Sequence, residues 1–495
     1  MSNDRGPASR SATDRPSPGT SLPPRERPRR RGDSRGDDDY AATGNKVSAR
    51  GFDGYKAHIA IGPTARSSPP PRSFPATTVA APTLEASISI RYRTGDRHIM
   101  RPRQRQAPDS LPRITSTTYE RQSLGRAINL SDAHCRQSLS SSQLAIVERL
   151  PELFHEARTA PYREQEEAFL NAFMNLSGEP LIGDSSRYLF SYSASCAITM
   201  VASHCARFGK RVALIEPVFD SIPSILHREN VEVVSLPECD CTVDRLPAAL
   251  ARLDPAVVWL VTPNNPTGRV LSEPEFRTLV ELCGERHCTL VLDSAFRFFA
   301  TGSDDWSKYR ILEDAAVSYV VLEDTGKTWP ANEMKVGLTV CSEDMYPDLS
   351  RLHDDLLQSV SPFHLRVLRE FIEDSARHGI QNTVLPLMRN NRAILRSVLA
   401  GDVFRFVTEP DSAIPVDWVH LADCLDCETL AQETIGNGVH VLPGTNFFWS
   451  QPQRGRQFLR IALARDPELI QRGAEILGQA ADRLATSGRA VCAGE

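Results

Sequence analysis

The chain has 495 residues, 41% hydrophobic and 24% charged, with a formal net charge of −5. That balance predicts a soluble globular protein with ample core, and no apolar run reaches the roughly 18 residues a membrane helix needs. The charge is uneven: residues 1–110 hold 20 Lys/Arg against 11 Asp/Glu, so the remainder is acidic and recommends no nucleic-acid partner.

Residues 1–107 are rich in Pro, Arg, Ser, Gly and Asp, with runs such as Arg29-Arg30-Arg31. They cannot bury enough apolar surface to offset their ordering entropy, so a disordered basic tail is expected. Met100 is a candidate alternative start and would leave 396 residues. The segment Met1 to Pro24 lacks the apolar stretch of a secretory signal. Eleven scattered cysteines, an odd number, point to a reducing cytoplasm. Cys424-x-x-Cys427 and Cys239-x-Cys241 imitate metal spacing but lack a zinc-ribbon context, so no metal is expected.

The chain becomes globular from Ile128. Ser140 to Ala157 reads as one helix, with a Ser-rich cap and Leu144, Val147, Leu150 and Leu153 at helical spacing. Glu164 to Met174 continues in that style. Tyr188–Ser191 is a short strand, followed by a helix over Cys196–Phe208. Near-continuous apolar runs at 211–215, 231–236, 257–261, 289–292 and 317–322, separated by helix-length segments, read as buried parallel strands. The expected fold class is therefore α/β, with a mostly parallel sheet covered by helices. Residues 352–380 and 384–399 read as helices, and strands are expected at 416–421, 439–442 and 458–463. This divides the chain into an N-terminal segment and helix (108–160), a large domain (161–380) and a small α+β domain (381–489).

Several residues at the ends of these elements carry chemistry. Ser193-Ala194-Ser195 stands at a strand-to-helix junction, where free N–H groups and small hydroxyls suit a phosphate. Asp293 ends a buried strand, where open α/β sheets place their ligands. Lys327 follows the next strand, and a buried lysine loses basicity readily enough to act as a covalent nucleophile. Arg460 lies on a late strand, and its planar guanidinium suits a carboxylate.

The ordered set Asn264-Asn265-Pro266-Thr267-Gly268, Asp293-Ser294-Ala295-Phe296, Lys327, Lys335-Val336-Gly337 and Phe458-Leu459-Arg460-Ile461 resembles the pyridoxal phosphate (PLP) enzymes of the aspartate-aminotransferase fold, fold type I. The resemblance implies that Lys327 carries the cofactor and Asp293 holds the ring nitrogen. It implies further that Asn265 meets the ring hydroxyl, Phe219 stacks on the ring, and Ser193, Ser195 and Lys335 hold the phosphate. Lys335 stands where relatives usually have arginine, so it offers a point charge without the bidentate fork. Phe296 replaces their usual tyrosine. Asp324 replaces a serine three residues before the lysine; an anion beside phosphate is repulsive, so Asp324 is read as facing substrate and inviting a cationic side chain.

Over roughly residues 112–490 the chain resembles a narrower family, the PLP- and oxygen-dependent L-arginine hydroxylases/oxidases of enduracididine-type biosynthesis. The Thr-Gly-Lys-Thr-Trp-Pro loop around Lys327 and Ile128 to Gln137 carry that likeness. It implies an N-terminal lid bearing Thr117 and Glu120, with Glu120 and Asp324 at the substrate guanidinium, and His134 as a catalytic acid/base. It also implies L-arginine and O2 as substrates, oxidised or hydroxylated 2-oxoarginine with ammonia and peroxide as products, and a homodimer. Two alternatives stay open: an ordinary class I/II aminotransferase with a keto-acid acceptor, and a ligand-sensing regulator, against which the pattern-poor N-terminus argues.

Overall fold

The computed structural model describes residues 114–179, 187–300, 306–408 and 412–492. The expected basic tail and Met100 lie outside the described residues. Thirteen strands are described: β1 (Ile128–Asn129), β2 (Tyr188–Ser191), β3 (Val212–Glu216), β4 (Val233–Pro237), β5 (Val257–Val261), β6 (Thr289–Asp293), β7 (Tyr319–Asp324), β8 (Gly337–Cys341), β9 (Phe404–Phe406), β10 (Val416–Leu421), β11 (Val439–His440), β12 (Leu442–Pro443) and β13 (Phe458–Ala462).

Seven of them form the main sheet in the order β2-β8-β7-β6-β5-β3-β4. All neighbours are parallel except at β8, which runs against both β2 and β7. Six strands thus point one way and one is reversed. The reading from apolar runs located the other six but missed β8, whose Gly-Leu-Thr-Val-Cys sequence is short and follows directly on the Lys335 turn. Strands β3, β5, β6, β7 and β8 are buried throughout, as expected for a sheet covered on both faces.

The helix expected from Ser140 to Ala157 is two helices, Ser141–Glu148 and Leu150–Thr159. Ser140 caps the first in a reciprocal box with Gln143. Pro151 opens the second, because a proline lacks the N–H needed inside a continuing helix. The helical stretch from Leu352 to Ile380 divides likewise into Tyr346–Leu356 and Pro362–His378.

Two large apolar cores result, with a smaller cluster of Tyr119, Trp418, Leu442, Phe447 and Phe448. One spans Ile146 to Ile372 around the main sheet. The other joins residues from Ile128 to Cys135 to the C-terminal part, Val384 to Ala481. There an antiparallel sheet, β12-β13-β10-β9, packs beside the parallel pair β1–β11. The N-terminal segment is therefore stitched to the C-terminal one, with Ile128 beside Val439 and Leu130 N–H donating to His440 O at 2.8 Å. No described helix is long and apolar enough to cross a membrane.

Candidate active site

The carboxyl ends of the central strands open onto a cavity of about 170 Å³. Its lining includes Thr117, Glu120, His134, Ser193, Ser195, Phe219, Asn265, Asp293, Asp324, Lys327, Lys335 and Phe296. Arg460 reaches two of these, Glu120 and Asn265, from β13. Every site residue singled out from sequence thus comes to one place, in the crevice where open α/β sheets bind ligands.

Asn265 is set by a turn that needs glycine. Gly268 has φ +80°, and a Cβ there would lie 2.3 Å from Ser412 Oγ. Its N–H donates to Asn264 O at 2.8 Å, closing the Asn-Asn-Pro-Thr-Gly turn at the end of β5. Asn264 donates from Nδ2 to Pro217 O (3.0 Å) and Glu238 Oε1 (2.6 Å), so the neighbouring Asn265 is the one facing the cavity.

Asp293 ends β6 and is buried. Burial pushes its carboxyl up to about 6; the charges of Asp324 and Glu323 add to this, against the Ala295 N–H and Lys327. Its hydrogen bond from a described residue comes from the Ala295 N–H at 3.0 Å. A buried carboxylate that no cation among the described residues bonds, lining a cavity, fits a positively charged heterocyclic nitrogen.

Lys327 lies just past β7. Thr325 N–H donates to Val336 O (3.0 Å), and Val336 N–H donates to Thr325 Oγ1 (2.8 Å), pinning the lysine loop to the Lys335 segment. Cys135 Sγ donates to Lys327 O at 3.1 Å; its thiol is pushed up to about 12 by burial and is no nucleophile at neutral pH. Lys327 Nζ donates to His134 Nε2 at 3.2 Å. His134 can accept there because its Nδ1–H donates to Asp132 Oδ1 at 2.5 Å. Burial and the Lys327 charge hold His134 below its ordinary value, so the imidazole is neutral. Burial works against Asp132, but the His134 bond, the nearby positive charges and Arg136 (Nε to Oδ2, 2.7 Å) hold it well below the carboxylate range.

Sequence reading missed Asp132, Arg136 and Arg465. Arg465 is buried and donates to the carbonyls of Asn129 (2.6 Å), His134 (2.8 Å), Ala464 (2.7 Å) and Asp132. It splints the His134 segment to the end of β13. The available signal was its place five residues after Arg460, just past a strand already tied to the site.

The helix Ala194–Arg207 points its N-terminus at the cavity, with Ser193 as N-cap accepting from Cys196 N–H at 3.4 Å. Gly337 lets β8 pass close by, since a Cβ there would lie 2.8 Å from the Ser193 carbonyl carbon. The N-terminal N–H groups, Ser193, Ser195 and Lys335 make a cradle that fits a phosphate. Asp324 was expected to turn away from this cradle. Instead Asp324 Oδ2 accepts from Ala194 N–H at 3.2 Å, and Oδ1 accepts from Gly326 N–H at 2.6 Å. The correction has a simple cause: the helix N-terminus is partly positive and attracts the carboxylate that the strand brings beside it.

Arg460 is fully buried. It donates from Nη1 to Asn265 Oδ1 (3.2 Å) and from Nη2 to Glu120 Oε1 (2.6 Å) and the Ser131 carbonyl, between the rings of Phe219 and Phe447. Glu120 was expected to pair with Asp324 around a substrate cation; in the structure its partner is Arg460. Thr117, one turn earlier, lines the cavity from the same helix, Ser116–Ser123. Among the described residues no group of His, Cys, Asp and Glu could hold a metal ion. Cys427 is buried against Thr445 Oγ1 (3.3 Å), and Cys239 is exposed.

Known proteins share this fold. The family model for aminotransferase class I and II matches residues 137–477. A structure of MppP soaked with the product 2-ketoarginine is similar with a TM-score of 0.66 and 33% identity, covering 72% of this chain and 99% of that one. The L-aspartate:5-guanidino-3-methyl-2-oxopentanoate transaminase of Pseudomonas syringae pv. syringae is 23% identical over 375 residues, 71% of this chain and 93% of that protein. The histidinol-phosphate aminotransferase 2 of Oceanobacillus iheyensis is 23% identical over 206 residues, 40% of this chain; the match spans 56% of that relative's length. The chain belongs to the aminotransferase class I and II family, with the fold-type-I architecture and pyridoxal phosphate as its cofactor.

Proposed function

We propose that the protein oxidises L-arginine with O2, giving 2-oxoarginine, 4-hydroxy-2-oxoarginine or both, with ammonia and hydrogen peroxide. The observation that carries this reading is the Lys327–His134–Asp132 chain: a second, carboxylate-tethered base lies 3.2 Å from the lysine amine. The carbon-to-carbon proton shift of a transamination needs the lysine alone. A reaction that also moves protons to and from an external oxidant has use for a second group.

PLP supplies an electron sink for charge developing at the substrate α-carbon. The side chains do the rest. Lys327 holds the cofactor and moves the α-proton. Asp293 keeps the ring nitrogen charged, Phe219 and Asn265 fix the ring, and Ser193, Ser195 and Lys335 hold the phosphate. Arg460 grips the substrate carboxylate once Glu120, its partner in the structure, gives way, which leaves Thr117 and the released Glu120 to meet the cationic end. Fixing both ends of the substrate orients it for proton removal. Atom balance requires one O2 and one water per 2-oxoarginine formed, with one peroxide released. The hydroxylated product requires a second of each.

Support for the substrate comes from two relatives whose names carry 2-ketoarginine and a guanidino oxo acid. The latter is a transaminase similar over 93% of its length, which favours a second reading, transfer of the amino group to a keto acid. Incubation of the holoenzyme with arginine alone separates the two. Peroxide and oxo-arginine formed only in air support the oxidase. Turnover that is indifferent to O2 and needs a keto acid refutes it. A homodimeric, cytoplasmic enzyme completes the proposal.

A further inference from the structure

We propose that Glu120 is an internal competitor for the carboxylate clamp: the lid helix closes on Arg460 with its own carboxylate, and substrate binds by exchanging with it. The inference rests on Arg460 being the clamp. Arg460 is fully buried and has three side-chain or carbonyl partners. Asn265 and the Ser131 carbonyl are neutral and belong to the frame of the site. Glu120 brings the one charge, at 2.6 Å, and it is the partner that a second carboxylate would oppose.

The backbone that carries Glu120 is tied down independently of that bond. Ser116 N–H donates to Asp220 Oδ2 (2.9 Å), and Asn446 Nδ2 donates to Ile114 O (2.9 Å). Ser131 Oγ donates to Ser123 Oγ (2.9 Å), and Tyr119 is buried against Trp418, Leu442, Phe447 and Phe448, its hydroxyl on Glu428 at 2.8 Å. The helix therefore stays docked when the Glu120 side chain leaves Arg460, and exchange needs only rotation about side-chain bonds.

Exchange has a consequence for selectivity. Two carboxylates on one guanidinium repel each other, so an incoming acid meets a clamp already neutralised. Displaced Glu120 then faces the cavity beside Asp324 and Asp293 and needs a cation. A ligand with a cationic tail supplies one, whereas a simple acid leaves the charge unanswered. Glu120 thus screens out uncharged-tail acids at the clamp itself: it yields Arg460 only to a ligand that brings a cation of its own.

Butyrate, a carboxylate without a cation, tests this by titration of the holoenzyme followed through the visible absorbance of its cofactor. Glu120→Ala is expected to bind butyrate on the order of tenfold to a hundredfold tighter than the parent, the factor a charge-assisted hydrogen bond carries. Glu120→Gln, which keeps the shape, should shift the same way, and butyramide affinity should not change. Unaltered butyrate affinity in both variants overturns the proposal, as does equal tightening for butyrate and butyramide, which would mean a loosened lid. Arg460→Gln distinguishes the two readings. If it abolishes butyrate binding while the Glu120 variants gain nothing, the clamp stands and the exchange falls; if butyrate binding survives it, the clamp itself falls.

Discussion

Replacing Asp293 by Asn should stabilise the cofactor-free protein while weakening the enzyme. Asp293 is buried, and burial together with the charges of Asp324 and Glu323 moves its carboxyl from 3.8 to about 6. A displacement of that size costs the ionised form about 3 kcal/mol. Between these two values the folded protein holds a proton that the unfolded chain has released. Parental stability therefore falls as pH rises from about 4 to 6 and is flat above that. Asn has no such titration and still accepts the Ala295 N–H at the same oxygen position. Chemical denaturation of the two cofactor-free proteins should show no gap near pH 4 and a gap of about 3 kcal/mol in favour of Asn at pH 7 to 8. With PLP bound the gap should shrink, because the ring nitrogen supplies the missing cation. Turnover should fall roughly 10²–10³-fold, as when a preorganised charge is removed from an active site. A cofactor-free variant no more stable than the parent at pH 8, or a gap independent of pH, would refute the reasoning.

Four further outcomes follow from the geometry. Lys327→Ala should abolish the visible absorbance of the covalently held cofactor, read by spectrophotometry after reconstitution, and bring turnover to background. His134 sits below its ordinary value, so the acid limb of kcat/KM should lie below pH 6.5 and vanish in His134→Asn. Arg465→Ala leaves the carbonyls of Asn129, Asp132 and His134 without a donor and should cost about 3 kcal/mol or more in denaturant; Arg465→Lys should recover part of it. Gly268→Ala combines φ +80° with a Cβ 2.3 Å from Ser412 Oγ, so a loss of about 2 kcal/mol is expected, with weaker PLP retention as Asn265 moves.

Strand positions were legible because their cause is local: a strand buried on both faces must be apolar throughout, and β3, β5, β6 and β7 advertise this. Strand β8 was not, since a five-residue stretch with glycine and threonine reads equally well as a loop, and only pairing with β2 and β7 makes it a strand. Site residues at strand ends were legible for the same reason as the strands. Partnerships were not. Whether Asp324 meets a helix N-terminus, or Glu120 meets Arg460, depends on segments 130 and 340 residues apart in the chain. Arg465 went unseen because its work is done through carbonyl groups, which every residue carries and no motif records.

The splint made by Arg465 fixes the order in which the active centre can come into being. His134 and Arg460 are both placed by the segment 458–465, the first through the carbonyl that Arg465 holds and the second through β13. A nascent chain halted before that segment could already have shaped the lysine-bearing sheet, yet would hold His134 loosely and lack Arg460. The pocket is thus completed late, when the end of β13 meets the 130–136 segment, with Ala462 N–H on Leu130 O and Arg136 N–H on Ala464 O. A product that stops before β13 also loses the buried side chains from Leu459 to Ala481, so the second core is opened along with the pocket.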